Sequence, residues 1–238
     1  MIIQIMLGGI PADVELKDIK HIHLSVYPPN GRVRITAPKR LDLETIRVYA
    51  LTKLGWIKKQ QDKFRLQDRE TQREYLERES HYLWGDHYLL HIVEVEKPPV
   101  IEVGHHEITL SVRPGSSEAK KQAIMDEWYR RQLREVAQPY IDTWEKRMGV
   151  EVQHVYVQRM KTRWGTCNTR KGSIRLNTEL AKKPRTCLEY VVVHELAHLI
   201  EPSHNAHFKA LLDQYLPNWR QLKDELNQAP LGHVEWEY

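Results

Sequence analysis

Cysteine, glycine, proline and long apolar runs are all scarce in this chain of 238 residues. The two cysteines, Cys167 and Cys187, are too few for a disulfide framework or a cysteine-based zinc ribbon. We expect both to be reduced thiols. The apolar runs are a handful of residues long, far short of the roughly 20 that a membrane-spanning helix needs. The 11 glycines and 12 prolines are too few for a fibrous or low-complexity chain. These absences predict a soluble, cytoplasmic protein with no membrane partner.

A strong excess of one charge is lacking as well, since 36 Lys and Arg residues against 32 Asp and Glu residues give a net charge of +4. The distribution is uneven. The segment 159–185 holds nine Lys and Arg residues, and no Asp or Glu occurs between Val152 and Thr178. Such a stretch attracts anionic partners through the release of counterions. It is typical of a solvated basic face, and it also fits nucleic acid or an acidic peptide as a partner.

The N-terminal part of the chain alternates between strand and helix patterns. Alternating apolar residues on both sides of a turn at 28–31 predict a β-hairpin. Apolar residues at helical spacing predict a helix over 42–65 with Asp42 as its N-cap. The highly charged segment 68–79 favours a solvated helix, and the period-2 pattern returns over 82–113.

The best internal linker is the Pro-Gly-Ser-Ser run at 114–117. We place a domain boundary there. It separates a strand-rich N-terminal region with a helical segment, residues 1–114, from a C-terminal region, residues 115–238. A serine of the linker is predicted to cap a long helix that ends near Met148, before Gly149.

The C-terminal region then predicts two strands, over 150–157 and 172–176, with a turn-like segment at 164–168 between them. Prolines and a serine mark the starts of further helices. These helices are predicted over 184–199, 203–216 and 217–227.

The most informative segment is the His-Glu-x-x-His pattern of residues 194–198, which lies in an apolar run that predicts a helix. Residues four apart lie above one another on a helix, about 6 Å apart, so His194 and His198 can bind one ion. Glu195 is turned by roughly 100° from His194, which lets it reach a water at the metal without being a ligand. This is the zincin arrangement, in which two histidines bind zinc and the glutamate is the general base.

A catalytic zinc site usually has three protein ligands and one open position, so a third ligand is needed. His204 lies ten residues after His194, and Pro202 breaks the helix between them, which lets the chain turn back toward the metal. We therefore predict His204 as the third ligand. His207 is the competing ligand and otherwise a substrate-facing residue, and Glu201 is a weaker alternative.

Further features accompany this pattern. They are Arg163-Trp164-Gly165-Thr166-Cys167, Asn177, Tyr190 with three valines directly before the first histidine, and Phe208 four residues after His204. With these features the sequence resembles the YgjP-like metallopeptidases, which are relatives of the SprT and WLM metalloproteases. The segments 33–38 and 56–57 also resemble this family, so the resemblance covers residues 20–227. It implies that His204 is the third zinc ligand, and that Thr166 stands where the family usually has serine.

The zinc motif and the resemblance together predict the fold and the function. The fold is α+β, with an N-terminal β-hairpin and helix region and a zincin-like core in which the histidine-bearing helix lies beside a small sheet. The protein is predicted to be a zinc-dependent metallopeptidase acting on a peptide or protein substrate. In this mechanism Zn²⁺, bound by His194, His198 and His204, activates a water, and Glu195 is the general base.

Substrate and transition state need further contacts. The candidates for stabilising the oxyanion are Arg163, Tyr190, His207 and Tyr215. We predict Arg163 and His207 as possible substrate or transition-state contacts. The strand at 172–176 directly precedes the metal helix and is predicted to pair with an extended substrate. Cys167 is an alternative metal ligand.

Two other functions remain open from the sequence. A nucleic-acid-binding protein with a structural or inactive metal site would bind through the stretch 159–185 in a salt-dependent way and would show no proteolysis with Glu195 intact. A zinc hydrolase of non-peptide amides would turn over small amides with the help of Glu195 and would leave unfolded proteins uncut.

Overall fold

The structure, a computed structural model, describes residues 2–27, 30–66, 75–160 and 163–228, except for the side chains of residues 63–66 and 228. These residues form a mixed α+β fold with small sheets and six α-helices. The chain divides into two compact units, residues 1–69 and residues 70–238. None of the helices in the described ranges is long and apolar enough to cross a lipid bilayer.

The first unit combines a four-stranded sheet with two helices. Its elements are the strands β1 (Ile2–Leu7), β2 (Ile10–Lys17), β3 (His23–Tyr27) and β4 (Arg32–Pro38) and the helices α1 (Leu43–Thr52) and α2 (Leu54–Leu66). The strand order is β1-β2-β4-β3, in which β2 and β4 are parallel and the two outer pairs are antiparallel. Its core includes Val14, Ile35 and Ile46, all fully buried.

Two predictions for this unit are confirmed and a third is wrong. The predicted hairpin is formed by β3 and β4. Asp42 caps α1, because its Oδ1 accepts a hydrogen bond from the Thr45 N–H at 2.7 Å. The single helix predicted over 42–65 is divided at Lys53, which leaves the helical conformation. The Lys53 N–H donates to the Ala50 carbonyl, three residues back, and this tighter turn ends α1.

The second unit contains three successive groups of elements along the chain. Its first sheet contains β5 (Ser80–Leu83), β6 (Asp86–Glu94), β7 (Val100–Val103) and β8 (Glu107–Val112), which the long helix α3 (Glu118–Met148) follows. The second sheet contains β9 (His154–Gln158), β10 (Gly165–Asn168) and β11 (Ser173–Asn177). A short 3₁₀ helix (Thr178–Lys182) then leads to α4 (Arg185–Ile200), α5 (Ala206–Tyr215) and α6 (Trp219–Gln228).

Buried residues of β5, β6 and β8 belong to the same hydrophobic core as those of α3, so these strands lie in the second unit. Ile108 and Leu110 of β8 are fully buried and share one core with Met125 of α3. The boundary predicted at residue 114 therefore falls inside the second unit. The residues 114–117 make a turn into α3 instead of a linker, since the last of them caps that helix. The long helix predicted up to Met148 is confirmed.

The charged helix predicted over 68–79 lies partly outside the described residues. Residues 75–79, which are described, are not helical. The Arg78 N–H donates to the Leu90 carbonyl at 2.7 Å, and the Leu90 N–H donates to the Glu79 carbonyl at 2.8 Å. Backbone pairing with β6 therefore replaces the predicted helix in this part of the segment.

The second sheet of this unit corrects two predictions. The strand order is β10-β11-β9, with β11 antiparallel to β10 and parallel to β9. Residues 164–168 were expected to form a turn, but pairing with β11 makes most of them a strand. The segment 172–176 was expected to offer an edge to a substrate, but β11 is the central strand and its two edges are already hydrogen-bonded. Strand β10 is an edge strand, and it lies next to α4.

The helices near the C-terminus follow the predicted order. Helix α4 is confirmed, while α5 begins later than the predicted cap at Ser203. Its N-cap is Asn205, whose Oδ1 accepts a hydrogen bond from the Phe208 N–H at 3.0 Å. The Ser203 hydroxyl donates instead to the Glu201 carboxylate at 2.8 Å. Residues 201–205 therefore form a non-helical turn between α4 and α5.

Candidate metal centre

Helix α4 carries the histidine pattern through the core of the second unit. The apolar residues around the pattern are buried, namely Val191, Val192, Val193, Leu196 and Ala197. His194 and His198 are half-buried, and their ring centroids lie 5.0 Å apart. An apolar helix thus presents two imidazoles at the spacing that one metal ion needs.

His204 joins these two histidines from the turn after α4. Its Nε2 atom lies 3.0 Å from the Nε2 atom of His194, and one ring nitrogen from each of the three histidines lies within 4.8 Å of the others. The turn is held by Glu201, whose carboxylate accepts hydrogen bonds from the Ser203 hydroxyl and N–H. These bonds lower the pKa of Glu201 to about 2. The structure therefore brings together the three histidines that the spacing singled out.

Phe208 lies against all three imidazoles. Its ring centroid is 5.0 Å from that of His194, 4.8 Å from that of His204 and 4.5 Å from that of His198, on which it stacks. The side chain is buried, and the Asn205 cap fixes its N–H. The spacing argument assigns Phe208 no chemical role, because an apolar residue at this position is typical of the core. In the structure it packs against the histidine cluster and restricts the rotation of the rings.

The donor set of this cluster fits a zinc ion. Imidazole nitrogens are ligands that Zn²⁺ prefers, and two of them on one tetrahedral zinc would be about 3.3 Å apart. The 3.0 Å between His194 and His204 is close to that separation. Nδ1 of His198 donates to the Glu201 carbonyl at 3.2 Å, since a carbonyl oxygen only accepts. This bond leaves the Nε2 lone pair of His198 for a metal, as in many zinc sites.

Burial keeps both helix histidines uncharged. It lowers the pKa of His194 to about 3, and it also lowers the pKa of His198 below its ordinary value. The buried Nδ1 of His194 has no hydrogen-bond partner among the described residues. Since a metal binds only neutral imidazole, neither residue has to lose a proton at neutral pH before it becomes a ligand.

Glu195 is a buried carboxyl group beside the histidines, with 5% of its surface exposed. Burial raises its pKa to about 8, and the charge of Arg163 opposes this shift. The carboxyl group packs directly on the backbone of β10, because a Cβ atom on Gly165 would lie 2.5 Å from Oε1 of Glu195. Gly165 is therefore the residue whose missing side chain leaves room for Glu195.

A cleft of about 590 Å³ opens over the histidines. Its lining comes from the segment around β10, from α4, from the turn after α4 and from α6. Arg163 and Tyr190 line it, as the sequence allowed for an oxyanion or substrate contact. Tyr190 packs edge-on to His194, with ring centroids 5.8 Å apart, and burial raises its pKa to about 12.

Two other predicted contact residues lie outside this lining. His207 is exposed, and its Nδ1 lies 3.4 Å from a carboxylate oxygen of Glu201. Tyr215 packs edge-on to Trp144, with ring centroids 6.5 Å apart. Neither residue lines the cleft, and neither His207 nor Glu201 is part of the histidine cluster within the described ranges.

Cys167, the alternative ligand, lines the cleft but keeps its proton. Burial raises the pKa of its thiol to about 11, with a further contribution from Glu195. A protonated thiol is a poor metal ligand, because zinc binds the thiolate. Cys167 is not part of the cluster of potential ligands found in the described residues.

The basic stretch 159–185 is not a continuous surface. Lys182 and Lys183 are buried, and the Lys182 ammonium lies 2.7 Å from the Glu179 carboxylate. The exposed cations of the stretch are Arg159, Arg163, Arg170, Lys171, Arg175 and Arg185, while Lys161 lies outside the described residues. The basic surface is therefore smaller than the sequence indicates.

Asn177 fixes the chain that enters β10. Its side-chain NH₂ donates to the carbonyl groups of Met160 and Arg163, at 2.8 Å each. Its Oδ1 accepts a hydrogen bond from the Glu179 N–H at 3.2 Å. The side chain is buried, so these bonds join the start of β10 to the end of β11 without competition from water. In the sequence, only the family resemblance pointed to this residue.

Comparison with known proteins gives one family. Residues 20–229 match the family model described as "YgjP-like, metallopeptidase domain". No curated protein matches the chain significantly. Among solved structures, the zymogen of the Pyrococcus abyssi metallopeptidase abylysin is 17% identical, covers 40% of this chain and 99% of its own, and has a TM-score of 0.36. The zymogen of Methanocaldococcus jannaschii jannalysin is 18% identical, covers 39% of this chain and 94% of its own, and has a TM-score of 0.35. Because the family match spans most of its length, the chain belongs to the YgjP-like metallopeptidase family.

Proposed function

We propose that the protein is a zinc-dependent peptidase of the His-Glu-x-x-His type, whose zincin-like core consists of α4 and the sheet β9–β11. The observation that carries this proposal is the convergence of three histidine nitrogens beside a buried glutamate in an open cleft. The family supports a metallopeptidase activity and a peptide or protein substrate. A cytoplasmic location stays a prediction from the low cysteine content.

In this proposal His194, His198 and His204 hold the metal, and Phe208 keeps their rings in place. A zinc ion in such a site supplies Lewis acidity, which lowers the pKa of a water toward about 7 and polarises the carbonyl of the scissile bond. The hydrogen bond from His198 to the Glu201 carbonyl orients one ring, and the bonds of Glu201 to Ser203 hold the turn that delivers His204.

Glu195 is proposed to move the proton. Its carboxylate accepts a proton from the attacking water and donates it to the leaving amine. Burial raises the pKa of Glu195 to about 8. A pKa close to the working pH suits both halves of this transfer, because uptake and release of the proton then cost similar amounts of free energy. Tyr190 keeps its phenolic proton at neutral pH and lines the same cleft, so its hydroxyl is proposed as a donor to the oxyanion.

The free edge of β10 is proposed to bind the substrate as an added strand. Strand β10 is an edge strand that pairs with β11, and residues of this segment line the cleft. An extended peptide could therefore pair with its backbone groups and bring a peptide bond to Glu195. Arg163, two residues before this strand, is the proposed substrate contact. His207 is not retained in that role, since it lies outside the lining of the cleft.

Removal and return of the metal tests the proposed function. The purified protein is mixed with a library of random decapeptides, and the products are identified by mass spectrometry. We expect cleavage by the zinc-loaded protein, none after treatment with 1,10-phenanthroline, and recovery when zinc is added back. Protein that holds one zinc ion per chain and cuts none of the library would contradict a peptidase function.

Gly165→Ala tests the contact between β10 and Glu195. The added Cβ would lie 2.5 Å from the carboxyl oxygen, so Glu195 has to move. A displacement of this kind is expected to lower kcat/KM by about 100-fold while the zinc content stays unchanged. Gly104→Ala is the matched control, because its Cβ would lie no closer than 3.4 Å to another residue. Peptidase activity of Gly165→Ala within about threefold of the wild type would argue against this placement of Glu195.

A further inference from the structure

Positively charged side chains outnumber negatively charged ones in the lining of the cleft. The lining contains three side chains with an ammonium, guanidinium or carboxyl group, which are Arg163, Glu195 and Lys223. Under the proposed function Glu195 is used for proton transfer, and a metal ion on the histidines adds positive charge. The space that remains for the substrate is therefore lined by cations without a compensating carboxylate among the lining residues.

Arg163 is one of these cations. Its carbonyl accepts a hydrogen bond from the Asn177 side chain at 2.8 Å, which fixes the backbone just before β10, while the Arg163 side chain is exposed. Its positive charge acts on Glu195 and opposes the rise in pKa that burial causes there. Within the described part of the chain, Arg163 has no carboxylate at ion-pair distance.

Lys223 is the second cation and comes from a different element, the C-terminal helix α6. It lines the cleft together with Leu226 and Asn227, one turn further along this helix. Its ammonium lies 5.8 Å from the ring centroid of Trp219, which is largely buried, and its charge acts on His194. It too forms no ion pair with the residues for which side chains are described.

Cations that lack a protein partner in a partly enclosed site favour an anionic ligand, because the site focuses their field and screening by salt is reduced. An acidic peptide matches this cleft better than nucleic acid does. The free edge of β10 offers backbone pairing to an extended peptide, and two of the lysines that made the basic stretch look like a nucleic-acid site are buried.

We propose that Arg163 and Lys223 are specificity-determining residues that make the cleft select peptides with Asp or Glu close to the scissile bond. This inference rests on the proposed peptidase function for the meaning of the scissile bond. The recognition itself is a binding property and is measured without hydrolysis.

The test uses a zinc-loaded Glu195→Gln protein, which is expected to bind peptides without cutting them. The immobilised protein captures peptides from a pool of random decapeptides, and the captured fraction is analysed by mass spectrometry. We expect Asp and Glu to be enriched about fivefold over Asn and Gln at about 50 mM salt, and less at about 500 mM salt. Adding Arg163→Gln and Lys223→Gln together is expected to remove the enrichment.

The matched control replaces two exposed cations of the same unit that do not line the cleft, Lys97 and Arg113, by glutamine. This control removes two positive charges, as the double substitution of Arg163 and Lys223 does. We expect it to keep the enrichment of Asp and Glu. The comparison separates recognition by the cleft from the effect of overall charge and from attraction by the metal ion.

Three results of the binding experiments would overturn the inference. They are a captured fraction without excess Asp and Glu, an enrichment that survives the double substitution of Arg163 and Lys223, and binding of a single-stranded oligonucleotide that this double substitution abolishes. The last result would identify nucleic acid as the anion. Failure of the proposed function gives a different pattern, in which acidic peptides are captured but the protein with Glu195 intact cuts none of them. Cleavage without a preference for acidic peptides would remove the specificity inference alone.

Discussion

Glu195→Gln is expected to retain the metal and to lose peptide hydrolysis by about 1,000-fold or more. Glutamine has the shape of glutamate but takes up no proton at neutral pH, so the attacking water would lose its base. The metal should stay, because the histidine nitrogens form the cluster without a carboxylate. The measurement is kcat/KM on a cleaved peptide together with the zinc content of the same sample.

Glu151→Gln is the control for this substitution, since Glu151 is exposed and does not line the cleft. It should keep full activity. If Glu195→Gln retained a tenth or more of wild-type activity with its zinc in place, proton transfer by Glu195 would have to be abandoned. Loss of zinc in that variant would instead show that the carboxylate is a ligand.

The second large effect is expected for His204→Ala, which should weaken zinc binding by about 100-fold or more because it removes one of three ligands. His207→Ala should leave zinc binding unchanged, because its ring lies outside the cluster and contacts Glu201. The two histidines are three residues apart, so the pair is a matched test of position. Zinc affinity is measured by competition with a chromophoric chelator.

The opposite ranking would contradict the site. Zinc lost from His207→Ala and kept by His204→Ala would mean that His207, and not His204, binds the metal. An equal loss in both variants would indicate that they act through the stability of the turn at Glu201. Thermal unfolding of the zinc-free variants separates that case, since removal of a ligand alone should leave their midpoints close to that of the zinc-free wild type.

The histidine cluster was predictable because its geometry is mainly local. The separation of His194 and His198 follows from the pitch of one helix, and the apolar run predicted that helix with nearly correct ends. His204 required one more step, the break at Pro202, which the sequence also shows. The cap of the next helix was wrong by two residues. The Glu201 carboxylate accepts a hydrogen bond from the Ser203 hydroxyl, and Asn205 caps α5 instead.

The edge proposed to bind the substrate was not predictable, because it depends on which strands pair. Residues 164–168 contain glycine, threonine and asparagine and resemble a turn, yet pairing with β11 makes β10 out of most of them. The same pairing moves 172–176 from an edge to the centre of the sheet. Strand β11 becomes central because β9, which precedes β10 in the chain, pairs with its other side. Local propensity does not encode which strands pair in this way.

The domain boundary and the position of Lys223 in the cleft were missed for a related reason. The residues 114–117 have the composition of a linker, but β8 before them and α3 after them bury side chains in one core. Lys223 looks like any charged residue of an amphipathic helix. It lines the cleft because α6 packs against α4, and no local pattern reports that contact.

The most direct test of the central claim, a zinc ion held by three histidines, is the zinc K-edge X-ray absorption spectrum of the purified, zinc-loaded protein. We predict a first shell of nitrogen and oxygen atoms at about 2.0–2.1 Å, with the multiple scattering of three imidazoles and no sulfur near about 2.3 Å. His204→Ala should reduce the imidazole count to two. A sulfur in the first shell would place Cys167 at the metal, and a protein that takes up no zinc at all would contradict the account.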